Sequence, residues 1–120
     1  MTTVLMIIQI GIALGIFNVW LLRYGKPTSW RAGEAKNMTQ EFQVYGLPAW
    51  SVGVIGFLKV ALAALLILGL WLPAVTTPAA IGLAILMLGA VVMHVKVKDP
   101  LMKSLPALSL LILCLIVALL

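Results

Sequence analysis

Four polar side chains dispersed through an apolar chain have types suited to chemistry: Asn18, Lys59, His94 and Ser109. Lys59 is the costliest of them. It follows Trp50 by nine residues in an otherwise uncharged run, roughly 13 Å along a helix at 1.5 Å per residue. A cation near the middle of a bilayer costs about 2.5–3.5 kcal/mol on insertion scales. Such a charge serves as an anion partner, a proton carrier or a donor to a ligand carbonyl. The alternative is a lysine that snorkels to the rim while its stem packs. Glu41 or Asp99 would pair with it if the rim folds inward. Depth arithmetic supplies neighbours. Asn18 stands five residues before Arg23, and Ser109 six after Lys103. That places them roughly 7–9 Å below the same rim. His94 is expected nearer the surface. These four residues are the ligand-binding candidates, one polar group from each of four helices.

The rest of the chemical inventory is short. His94 is the single histidine, so a bis-histidine haem is excluded, and a rim residue is the ordinary reading of a lone histidine at a helix end. Cys114 is the single cysteine. It permits no internal disulfide, redox pair or zinc cluster and reads as a small packing residue. No glycine-rich phosphate loop follows a strand, and no paired carboxylates stand inside an apolar run. No catalytic or metal-binding residue is assigned, and stand-alone catalysis is not expected.

The elements that position these groups must be membrane helices. The chain has 120 residues, 64% of them hydrophobic, and only 11 are Lys, Arg, Asp or Glu. Mean hydropathy is +1.23. A soluble domain carries about 25% charged residues and cannot hide such an apolar excess. A crossing takes about 20 apolar residues, which leaves room for four. The uncharged run 60–95 is too long for one helix, and Pro73 and Pro78 divide it. The expected spans are 3–22, 49–72, 78–95 and 104–120, with Thr77 capping the third and Asp99-Pro100 preceding the fourth. The segments lack the two-residue alternation of barrel strands. The fold class is therefore all-α: one domain over 1–120, a polytopic four-transmembrane-helix bundle.

Loop 1 is not shapeless. Asn37-Met38-Thr39-Gln40 has the form of a capping box, Met38, Phe42 and Tyr45 share a helical face, and Gly46 and Pro48 end the run. A short interfacial helix is expected near 38–45. Trp20, Trp30, Trp50 and Trp71 all fall near expected rims, as aromatic belts do. Gly11 and Gly15 have the spacing of a close helix contact. The openings Leu47-Pro48-Ala49 and Leu105-Pro106-Ala107 match, as do Gly11-Ile12-Ala13-Leu14 and Gly82-Leu83-Ala84-Ile85. They suggest two parallel hairpins; the alternative is coincidence in an apolar alphabet.

Charge orients the bundle. Loop 1 carries Arg23, Lys26, Arg31 and Lys36 against Glu34 and Glu41, and loop 3 carries Lys96, Lys98 and Lys103 against Asp99. Seven of eight basic residues thus share one side, which positive-inside assigns to the cytoplasm of an inner (plasma) membrane, with both termini outside. Arg23, Arg31, Lys96, Lys98 and Lys103 form a surface for lipid headgroups or a partner protein. Nucleic acid does not fit a charge spread along a membrane face. A homo-oligomer is left open.

The residues resemble the DoxX-like family of small four-helix membrane proteins. The resemblance rests on Asn18-Val19-Trp20-Leu21-Leu22-Arg23, Glu41-Phe42 with Tyr45-Gly46-Leu47-Pro48, and Gly56-Phe57-Leu58-Lys59. It continues through Met87-Leu88-Gly89-Ala90, Met93-His94-Val95-Lys96-Val97-Lys98-Asp99-Pro100 and Lys103-Ser104-Leu105-Pro106-Ala107. Many relatives carry an acidic residue near the place of Lys59, where this chain departs. The resemblance implies an accessory or binding subunit, associated in some relatives with membrane redox complexes. It leaves two alternatives: a quinone-linked oxidoreductase subunit, with quinone as its cofactor, and a small-solute or proton carrier. The partners it implies are the bilayer and a membrane or peripheral redox protein.

Overall fold

The computed structural model describes residues 2–26, 33 and 35–120. The described residues form helices and turns, and four helices are long and apolar enough to cross a membrane. Helix α1 (Thr2–Phe17) continues into a π-helical turn, Asn18–Leu22. Helix α2 (Met38–Val44) is short; α3 spans Trp50–Leu68, α4 Thr76–Lys96 and α5 Leu101–Leu119. Helix α1 packs on α3 and α5, α3 on α4, and α4 most extensively on α5. The four long helices thus close a ring in chain order.

Each long helix turns one stripe inward. In α1 it is Gln9, Ile12, Ala13 and Ile16; in α3 it is Val52, Gly56, Lys59, Ala63 and Leu66. In α4 it runs Ala80, Leu83, Ala84 and Met87 and continues to His94. These intervals of three and four residues are the helical period. Lys59 and His94 therefore occupy core-facing positions. Cys114 is fully buried in α5 and packs with this core. Of the matched segments, Ile12 and Leu83, like Ala13 and Ala84, are buried, while Leu14 and Ile85 are exposed.

Several boundaries differ from the sequence reading. The second span ends at Leu68, because Gly69 and a tight turn replace its expected last residues. A 3-10 turn, Pro73–Val75, leads into α4, which starts at Thr76 and leaves Pro78 in its first turn. Thr77 is not the cap. Instead Thr76 donates its hydroxyl to Gly69 O at 3.3 Å, and Gln9 reaches across from α1 to Leu66 O at 3.3 Å. This polar knot secures the end of the bundle away from the basic loops. Helix α5 begins one turn early, so Pro106 lies inside it and Pro100, not Asp99, is its cap. Gly11 is exposed with nothing near it, and Gly15 meets only Leu110. The glycine pair makes no close helix contact within the bundle.

The interfacial helix forms as expected. Asn37 Oδ1 accepts from Gln40 N at 2.8 Å, and Gln40 Oε1 accepts from Lys36 N at 2.9 Å. Gly46, at φ 78°, closes it with bonds from Leu47 N to Phe42 O and from Gly46 N to Gln43 O, a Schellman motif. The end of α4 repeats that motif, with Asp99 N donating to His94 O and Lys98 N to Val95 O. Here the left-handed residue is Lys98, at φ 58°. A lysine pays a steric cost there that glycine does not. Lys98→Gly is expected to stabilise the protein by about 0.5–1 kcal/mol, read as a raised unfolding midpoint in detergent. A lowered midpoint would contradict the strain.

Candidate functional site

The α1–α3 and α4–α5 connections share one end of the bundle, and a cavity of about 780 Å³ opens there. Its walls are mostly apolar, with Ile55, Met87, Met93 and Leu110 among them. Asn18, Lys59 and His94 all line it. Ser109 does not: it is exposed, and α5 instead contributes Lys103, Pro106, Ala107 and Leu110. Depth along a helix placed Ser109 at this level, but helical rotation turns it away. Asn18 reaches the cavity from a largely exposed position in the π turn.

Lys59 is 8% exposed, with its ammonium 5.4 Å from the centre of the Trp20 ring. Rather than snorkelling to the rim, the side chain stays inside the bundle. Trp20 is its floor. The wide π turn, in which Arg23 N donates to Asn18 O, carries Trp20 inward. Gly56, one turn before Lys59, leaves the ring its space. Trp20 also packs against Tyr24 and, edge-on, against Phe42. It is thus a core residue and not part of an aromatic belt. Trp50 and Trp71 are exposed, as a belt requires, and Trp30 lies outside the described residues. Among the described residues the Lys59 ammonium has no hydrogen-bond partner and no carboxylate within ion-pair distance. The charge of Glu41 acts on it from farther off.

A second polar group adjoins the first. His94 is buried, 4% exposed, and not at the surface as its sequence position suggested. Its Nδ1 lies 2.9 Å from Asp99 Oδ2, and its Nε2 lies 3.2 Å from the Tyr45 hydroxyl. That hydroxyl donates to Glu41 Oε1 at 2.9 Å. Tyr45 has one proton to give. If it goes to Glu41, His94 must donate from Nε2, and it must also donate from Nδ1 to the Asp99 carboxylate. All three bonds coexist when one further proton is present, on the second ring nitrogen or on Glu41. Burial raises the Asp99 carboxyl, but the Gly33 N–H, the His94 bond and the charges of His94 and Lys103 outweigh it and hold it below the usual carboxylate range.

Loop 1 is tied over this group. Gly33 N donates to Asp99 Oδ1 at 3.0 Å and Lys103 Nζ to Gly33 O at 2.6 Å. Lys96 Nζ donates to Tyr45 O at 3.0 Å. Lys96 and Lys103, assigned to a headgroup surface, thus also make internal bonds. Lys98 is exposed, Arg23 lines the cavity, and Arg31 lies outside the described residues. The roles of Tyr45, Glu41 and Asp99 around His94 were missed in the sequence. The one signal was the pairing of a buried-face Tyr45 with a histidine hooked by Asp99-Pro100.

The same stretches carry the family match. A model described as the DoxX-like family covers residues 27–119. The chain belongs to the DoxX-like family. No curated protein and no solved structure matches it. The DoxX-like match spans α2, the lysine of α3 and the His94–Pro100 hook. Trp20 and Asn18 precede it. Among the described residues no three His, Cys, Asp or Glu side chains could hold a metal.

Proposed function

We propose that this DoxX-like protein is a ligand-binding accessory subunit of the inner membrane. Its cavity would take an apolar molecule whose hydrogen-bond-accepting oxygen meets Lys59. One observation carries the reading: Lys59 is buried as a residue, yet its ammonium faces the open space of a mostly apolar cavity and has no hydrogen-bond acceptor among the described residues. A buried charge without a partner is costly, and a ligand oxygen offsets that cost. The volume falls within the range of about 300–1,000 Å³ typical of small-molecule sites. Positive-inside favours the basic end, and with it the mouth of the cavity, on the cytoplasmic side.

A quinone has the required carbonyls and apolar ring, which fits the association of relatives with redox complexes. Titrating the purified protein with a short-chain quinone, read by tryptophan fluorescence, tests this. Trp20 beneath Lys59 makes part of the quenching local to the site, above the signal of the three other tryptophans. Lys59→Leu is expected to weaken binding about tenfold or more, as loss of a charged hydrogen bond predicts. Equal responses would remove Lys59 from the site. A redox partner would be sought by gentle purification.

A further inference from the structure

With a neutral imidazole and both carboxyls ionised, the group around His94 is one proton short. Three contacts need hydrogens: Asp99 to Nδ1, Nε2 to Tyr45, and Tyr45 to Glu41. A neutral ring and one phenol supply two. A third proton satisfies all three, and the resulting imidazolium lies between Asp99 at 2.9 Å and Glu41 at 3.9 Å. Glu41, Tyr45 and His94 all line the cavity that holds the Lys59 ammonium. The cavity therefore presents a fixed cation and a ready proton acceptor to the same ligand head. An aprotic head would engage the first and leave the second idle.

We propose that Glu41, Tyr45, His94 and Asp99 accept the proton of an apolar molecule with a weakly acidic hydroxyl head, a phenol, which the cavity holds as its oxyanion beside Lys59. This rests on the cavity being a ligand site. The ligand O–H bond breaks and its proton passes to Glu41. Glu41 passes a proton to the Tyr45 oxygen as Tyr45 gives its own to Nε2 of His94. One O–H bond is lost, one N–H bond forms, and no electrons are transferred. Asp99 holds the imidazolium from behind. Among the described residues, the charged or titratable groups facing this centre are Glu41 from α2, Tyr45 at its C-cap, Lys59 from α3, Lys96 at the end of α4, Arg23 after α1, Asp99 from the α4–α5 connection and Lys103 from α5. With the acceptor loaded, the cations Arg23, Lys59, His94 and Lys103 outnumber the carboxylates Glu41 and Asp99 around the oxyanion. The path is reversible, and running it backwards restores the starting tautomer.

The probe is an alkyl ortho-nitrophenol, yellow only as its phenolate, titrated with pH in nanodiscs that carry the protein or none. The expected result is a protonation midpoint for bound probe about one to three units below that in empty nanodiscs. Tyr45→Phe, which keeps the ring packing on His94, is expected to retain binding and move the midpoint back toward the empty value. His94→Gln is expected to do the same. Bound probe that titrates as in empty nanodiscs would overturn the proposal while leaving the cavity as a binding site. So would a lowered midpoint that both variants leave in place. Failure of the wild type to bind the probe at all overturns the cavity reading together with this one.

Discussion

Gly56→Ala is expected to destabilise the protein by about 1–3 kcal/mol, the usual range for overpacking. It should also weaken ligand binding nearly as much as Lys59→Leu. A Cβ at this position would lie 2.7 and 2.8 Å from two carbons of the Trp20 ring. Those atoms cannot swing aside like the end of a flexible chain, because the ring is wedged against Tyr24 and Phe42. The ring must move as a body, and the Lys59 ammonium then loses its floor. Trp20→Phe removes the two clashing carbons. In the double-mutant cycle Gly56→Ala should therefore cost little in the Trp20→Phe background. Additive losses in unfolding midpoint would show that Gly56 and Trp20 do not share this space.

The same residues show how much the sequence discloses. Lipid requires runs of about 20 apolar residues, so the four spans are legible from charge and proline alone. Asn37 and Gly46 announce α2 because capping chemistry is local. The candidate site is legible only in depth. Counting residues from the rim brings Lys59, Asn18 and His94 to one end, yet the same count selects Ser109, which faces out. Depth follows from rise per residue, whereas facing follows from rotation, which tertiary packing sets. The intervals Val52, Gly56, Lys59, Ala63 and Leu66 hold the missing information. In a helix apolar on every side, however, no polar face marks them as the inner stripe. Trp20 was obscured differently. A π turn shifts the register after Phe17, and no residue type announces it. The His94 contacts reach back to Tyr45 and Glu41, 49 and 53 positions earlier, which no local rule connects.

Asp99→Ala is expected to cost about 2–3 kcal/mol, because it removes charged hydrogen bonds at two sites at once. One oxygen of Asp99 holds the Gly33 N–H and with it loop 1; the other holds His94 Nδ1. Without it a buried ring nitrogen loses its acceptor, and the proton-accepting group loses its counter-charge. Asp99→Asn keeps one accepting oxygen and should lose less. The wild type predicts the same loss in acid. The folded-state carboxyl titrates below its ordinary value, since the Gly33 and His94 bonds outweigh burial. A depressed carboxyl contributes stability that is complete above the ordinary aspartate value, about 3.9. That stability disappears as pH falls through the lower folded value. Unfolding midpoints of the wild type and Asp99→Ala, measured in detergent from neutral pH downward, should therefore stay apart until pH falls below the ordinary aspartate value and then converge. A gap that persists unchanged through the acid range would mean that the Asp99 charge does not support the hook. His94 would then be positioned by Tyr45 alone.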